Sequence, residues 1–329
     1  MKQTKLDIWA EEIFKKTGFI PKKEIKRGIY YSKNNIRDLI FEGEYKGKPA
    51  ILKIYNDPRI TDEPLAQIRF NKQNKSKILK AAEVYDYQME SPNRGWLIME
   101  KLPLRESFKR PLNPGQREEF LNAYLEYRKN FPTKPERKLE LAENLPANKF
   151  HIFRIARWFQ LAHNKEAELS MAGKKPIIKP KEFIPRYIKA LDLIEKEFKN
   201  RKMIYCHGLF NPTKIFKGEN GYYLIDFGHN KMYPEGYELS FILWSDWLME
   251  ANWKMNFVSW EKGVNEWLAL IRKTAQKLKI KNFNSLIKAC LAERIMGSIL
   301  ADICAAERPR KEKETRIKLL YQLFDKVVK

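Results

Sequence analysis

The 329-residue chain carries 64 lysines and arginines against 41 aspartates and glutamates, a formal net charge of +23, with 43% hydrophobic and 13% aromatic residues. That apolar content supports one large or two modest cores and excludes a disordered chain. No apolar run of about 18 residues is present, and Met1 to Phe19 mixes charges with single apolar residues, so neither a membrane span nor a signal peptide is expected.

The three cysteines, Cys206, Cys290 and Cys304, are scattered and fit neither a disulfide framework nor a zinc site, which points to a reducing, cytoplasmic setting. The basic excess would attract nucleic acid, an anionic membrane surface or phosphorylated small molecules. Because the cations are spread along the chain in short pieces, a lysine-rich composition accounts for them as well as a selected patch does.

In chain order, Ile8, Trp9, Ile13 and Phe14 fall at helical spacing and predict a short amphipathic helix packed on the next segment of the chain. Residues 22–55 hold three extended runs, GIYY, RDLIFEGEY and KPAILKIY, with Lys46-Gly47 as a turn, the pattern of an antiparallel meander. A helix is expected over about residues 63–80, then two strands, AEVYDYQM and GWLIMEKL, split by a turn at 91–95. Beyond Leu102 the apolar stripes become helical, as in HIFRIARWFQLAH and SLIKACLAERIMGSILADICAA. Residues 203–232 are the exception and read as short strands around a loop rich in His, Asn, Asp and Gly, the kind of segment on which chemistry concentrates. The charge run from Arg308 to Lys313 reads as a solvated loop between helices. The whole is an α+β chain, with an N-terminal lobe over residues 1–101 and a helical C-terminal lobe over 102–329.

The segment CHGLFNPTKIFKGENGYYLIDFG, Cys206 to Gly228, resembles the catalytic and metal loops of the aminoglycoside phosphotransferase and choline kinase group, whose pattern is HGDxxxxN, a hairpin, then IDFG or IDWG. His207-Gly208, Asn211-Pro212 and Ile225-Asp226-Phe227-Gly228 match it in order. The resemblance implies a bilobal protein kinase-like fold that binds ATP and Mg2+ and moves a phosphoryl group to a hydroxyl on a small molecule. It covers about residues 22–250. It places Lys53 on the nucleotide phosphates with a helix carboxylate, Glu63, or less aptly Gln67, as partner. It puts Glu100 at the hinge after the fifth strand, among the cofactor-binding residues, and Asp226 on the metal, with His207, Asn211 and Lys214 in the catalytic loop. Glu238 stands where the family has an aspartate ahead of a helix.

Two family residues are missing. The position of the aspartate that orients the acceptor hydroxyl is Leu209, and the position of the metal-binding asparagine is Lys214. Loss of a general base alone costs about 100- to 10,000-fold in rate. The turn ahead of the second strand, YYSKNNIRD, has no glycine cluster, although Asn34-Asn35 tolerate the geometry of a turn. Three readings stay open: a nucleotide-binding pseudokinase, an active atypical small-molecule kinase in which Lys214 replaces a metal's charge, and a basic RNA- or polyanion-binding module. Asp246 or Glu235 could stand in for the lost aspartate. His229 lies next to the metal loop, His151 and His163 lie on a helix, and Trp244, Trp247 and Trp253 read as core, in a region that shapes the family's acceptor pocket.

Overall fold

The computed structural model describes residues 4–30, 32–56, 63–91, 94–103, 106–108, 112–135, 141–248, 256–305 and 308–329. The chain opens with α1 (Lys5–Thr17), started by a capping box between Thr4 and Asp7 and ended by Gly18 at φ 71°. Strands β1 (Ile20–Tyr30), β2 (Ser32–Tyr45) and β3 (Lys48–Asn56) form the expected meander. Lys46 and Gly47 both take positive φ between β2 and β3, as a tight hairpin turn requires. Asn34-Asn35 do not form the other turn. They lie inside β2, whose first residue, Ser32, already pairs with Tyr30 of β1; residue 31 lies outside the described residues.

Helix α2 (Glu63–Gln73) ends earlier than its sequence suggests, because Asn74 and Ser76 turn the chain through side-chain bonds to nearby backbone. Next come β4 (Leu79–Lys80), β5 (Val84–Ser91) and β6 (Arg94–Glu100), giving an antiparallel five-stranded sheet in the order β1-β2-β3-β6-β5. Trp9 and Ile13 of α1 pack on Leu39, Leu52, Ile54, Trp96 and Ile98, which share one face of that sheet. Strand alternation therefore turns Lys53 to the opposite face.

The second, larger core belongs to α3 (Pro114–Asn130), α4 (Ala147–Met171), α5 (Pro180–Phe198), α6 (Glu238–Leu243), α7 (Phe257–Lys277), α8 (Phe283–Cys304) and α9 (Arg310–Val327). Helix α8 is apolar nearly all round and is buried accordingly. The run Arg308–Lys313 is not a free loop: it leads into α9, and Lys313 is buried with its ammonium donating to the Ile303 carbonyl. Before the helical body, β7 (Glu106–Ser107) pairs with β9 (Ile215–Gly218); β8 (Met203–Cys206) pairs with β11 (Lys231–Pro234), and β9 with β10 (Gly221–Leu224). Strand β4 runs parallel to β10, which joins the N-terminal region to the loop-bearing hairpin. Among the described residues no helix is long and apolar enough to cross a membrane.

Candidate active site

The loop of residues 207–214 leaves β8 and enters β9, and residues 225–228 leave β10. The Ile225 amide donates to the Lys214 carbonyl at 3.0 Å, so the two loops lie side by side. Asp226 takes left-handed backbone angles, φ 67° and ψ 58°, a conformation that Asp accepts more readily than most residues and that tends to mark functional loops. Gly208 is at φ 80°, and a Cβ there would stand 1.9 Å from the His229 carbonyl oxygen. Glycine is required at that crossing.

Four charges of alternating sign meet across the two parts of the molecule. The Lys53 ammonium lies 2.7 and 2.9 Å from the Glu63 carboxylate oxygens and 2.9 Å from Asp226 Oδ1. Lys214 Nζ lies 2.5 Å from Asp226 Oδ2. Both oxygens of Asp226 thus accept from lysines. Burial would lower the Lys53 ammonium, but Asp226 and Glu63 outweigh it and raise it above its ordinary value. Burial pushes the Glu63 carboxyl up despite Lys53. It would also raise Asp226, yet Lys53 and Lys214 hold that group well below the carboxylate range. Gln67 takes no part in the quartet; its amide donates to the Ala82 carbonyl at 2.9 Å.

His207 is fully buried and donates from Nε2 to the Ile225 carbonyl at 3.0 Å, bracing one loop against the other. Burial lowers it to about 4, so the ring is neutral. Its face packs near Phe227, which also contacts Phe70 of α2 and Phe131. Asn211 is spent locally, its Oδ1 accepting from the Thr213 amide at 2.9 Å and from the Thr213 hydroxyl at 2.7 Å. Glu100 closes β6 with its carboxylate accepting from the Glu83 amide at 3.2 Å. His229 is lowered to about 4 by burial and stands within the field of Asp226 and both lysines.

The buried Glu238 carboxylate accepts from the Tyr127 hydroxyl at 3.0 Å and the Gly208 amide at 3.4 Å, while the Tyr127 oxygen accepts from the His207 amide at 2.7 Å. Tyr127 had no signal in the sequence, since its partners lie 80 and 111 residues away. Arg128 adds a cation 3.5 Å from Glu238.

Leu209 packs half-buried against the large core. Neither candidate replaces the missing carboxylate there. Asp246 is fully buried and accepts from the Leu112 amide at 3.2 Å and from Trp267 Nε1 at 2.7 Å. Glu235 follows β11 beside Lys202, at the start of β8, whereas the catalytic-type loop leaves the other end of that strand. His151 is buried with Nδ1 2.9 Å from Glu293, and His163 is an exposed position beside Phe159. Trp244 donates to Ser298 at 2.8 Å; the Trp247 side chain and Trp253 lie outside the described residues.

No protein-family model matches the chain, and no curated protein resembles it in sequence. Its fold does match solved structures. A thermostable mutant of an aminoglycoside phosphotransferase, in ternary complex with ADP and hygromycin B, aligns over 97% of both chains with a TM-score of 0.55 and 12% identity. A spectinomycin phosphotransferase in complex with ADP and spectinomycin aligns over 97% of this chain and 98% of its own, with a TM-score of 0.57 and 12% identity. The Plasmodium vivax ethanolamine kinase aligns over 93% of this chain and 83% of its own, with a TM-score of 0.54 and 15% identity. The chain has the bilobal protein kinase-like fold of these phosphotransferases.

Proposed function

We propose that this protein is a nucleotide-binding pseudokinase: it takes the phosphates of ATP between the sheet and the helical body, and transfer to a hydroxyl is impaired or lost. The observation that carries this reading is the charge chain Glu63–Lys53–Asp226–Lys214, with an apolar Leu209 in the same loop as Lys214. Two lysines converge where polyphosphate lies in the kinase-like fold, and the neighbours crystallised with ADP favour the same ligand. Glu100 and the backbone after β6 would flank the base.

A catalytic magnesium does not fit the residues as arranged. Both oxygens of its expected ligand, Asp226, are bonded to ammonium groups, and the second ligand position is itself a lysine, which repels a cation. In this reading Lys214 supplies positive charge that a metal would otherwise bring, and no residue at position 209 can accept a hydroxyl proton.

Calorimetric titration with ATP tests the proposal, in EDTA and in excess Mg2+, for the wild type and Lys214→Asn. Binding in EDTA by the wild type, lost or made magnesium-dependent in the variant, is the expected result. No ATP binding under either condition would sink the nucleotide reading. Sustained, Asp226-dependent ATP turnover with a hydroxylated acceptor would replace it with that of an active, atypical kinase.

A further inference from the structure

A pocket of about 290 Å³ opens in the helical body between α4, α8 and the turn after α6, and shares no lining residue with the charge quartet. Arg154, Ile155 and Trp158 line it from α4, Trp244 from the turn, and Glu293, Arg294, Gly297 and Ala301 from α8; the Glu293 carboxylate is taken up by Arg154. Tyr237, under both Arg154 and Arg294, stacks on Tyr233 at 5.4 Å, and Tyr233 in turn lies against Gly208.

The two arginines differ in how their charges are answered. Arg154 donates to Glu293 and to the Tyr237 hydroxyl, and Glu293 also accepts from Tyr237 and lies against His151. That cluster is balanced. Arg294 lies 3.8 Å from the Phe241 ring centroid, 5.0 Å from Tyr237 and 5.4 Å from Trp244, yet its buried Nε and Nη2 have no hydrogen-bond partner. Aromatic faces stabilise the charge but do not accept from in-plane N–H groups. A buried guanidinium edge left without acceptors is costly, and such groups ask for an explanation.

Gly297 gives a second, independent sign. Glycine within a helix costs about 1 kcal/mol relative to alanine. Position 297 is inside α8, and a Cβ built there meets nothing within 4 Å. Packing therefore does not demand glycine, and its absent side chain keeps the pocket open. Trp244, held by its bond to Ser298, forms a fixed flat wall.

We infer that this pocket binds a small organic anion, a carboxylate or phosphate monoester on a flat apolar body, with the anion against the Arg294 guanidinium and the body between Trp158 and Trp244. A guanidinium donates short, charge-assisted bonds to either oxyanion. The inference stands apart from the nucleotide reading, since none of these residues belongs to the charge quartet.

Benzoate, phenyl phosphate and neutral benzamide, titrated separately against the full chain and followed by tryptophan fluorescence and calorimetry, form the test. Saturable binding of at least one anion, with benzamide silent, is expected, and the preferred anion identifies the headgroup. Arg294→Gln should weaken it roughly 10- to 100-fold, the loss of charge-assisted bonds. Gly297→Leu should abolish it while the thermal midpoint holds or rises, because leucine favours the helix and fills the void. The inference is overturned if neither anion saturates at millimolar concentration, if benzamide binds equally well, or if a folded Gly297→Leu protein binds like the wild type.

Discussion

Replacing Lys53 by methionine removes the cation that joins the sheet to α2 and to the Asp226 loop. Lys53 is 5% exposed and Glu63 1%, so the Glu63 carboxylate would be left in the interior with neither water nor a cation. Breaking a buried pair from one side costs about 3–5 kcal/mol, a large share of a total stability on the order of 5–15 kcal/mol. Glu63 has one escape, which is to take up a proton. Its carboxyl is already raised from 4.5 by burial, and loss of Lys53 raises it further. The folded variant then binds more protons than the unfolded chain, so its stability falls as pH rises and recovers as pH drops toward the ordinary carboxylate value. Urea unfolding of wild type and Lys53→Met between about pH 8 and pH 5 should show a deficit that shrinks on acidification. The double variant Lys53→Met/Glu63→Leu should regain half of the loss or more, since apolar replacement of a buried pair is close to neutral. A deficit below about 1 kcal/mol, one that ignores pH, or a double variant additive to within about 0.5 kcal/mol would refute the reasoning.

Tyr127→Phe strips the His207 amide of its acceptor and Glu238 of a donor, and should cost about 2–4 kcal/mol in urea unfolding. Leu209→Asp alone should leave ATP hydrolysis at background because Lys214 still occupies Asp226, whereas Leu209→Asp/Lys214→Asn should raise it by about 100-fold or more in the presence of Mg2+, read by phosphate release. His151, His207 and His229 are each lowered from 6.5 to about 4, chiefly by burial, so the unfolded chain takes up protons that the native one refuses. Stability should therefore decline as pH falls below 6.5, and urea midpoints that hold or rise toward pH 5 would contradict that burial.

What the sequence revealed was whatever depends on neighbours along the chain. The α1 stripe, the Lys46-Gly47 turn, the alternation that isolates Lys53 and the order of His207, Asn211 and Asp226 are all local patterns; the α+β class follows from the pattern of elements, and the kinase-like fold from the family resemblance that the last of these carries. Lys53 and Glu63, ten residues apart, could be paired on paper. Long-range satisfaction of buried groups could not. Tyr127 reaches Glu238 across 111 residues, Asp246 reaches Leu112 across 134, and Arg154 reaches Glu293 across 139, with no spacing to announce any of them. The same limit misplaced the end of α2, where the Asn74 and Ser76 side chains stop a pattern that apolar spacing would continue. It also misread Arg308–Lys313, because a lysine can be buried once a distant carbonyl receives it.

Helix α2 begins at Glu63 and carries Phe70 into the large helical core, while Lys53 rides on the sheet. The two ends of the Lys53–Glu63 bond are thus anchored in different bodies, and Lys53–Asp226 spans the same divide. Separating the sheet from α2 and the Asp226 loop would therefore stretch two short ammonium–carboxylate contacts at once. Under the nucleotide reading proposed above, a polyphosphate would have to compete with Glu63 and Asp226 for the same lysines.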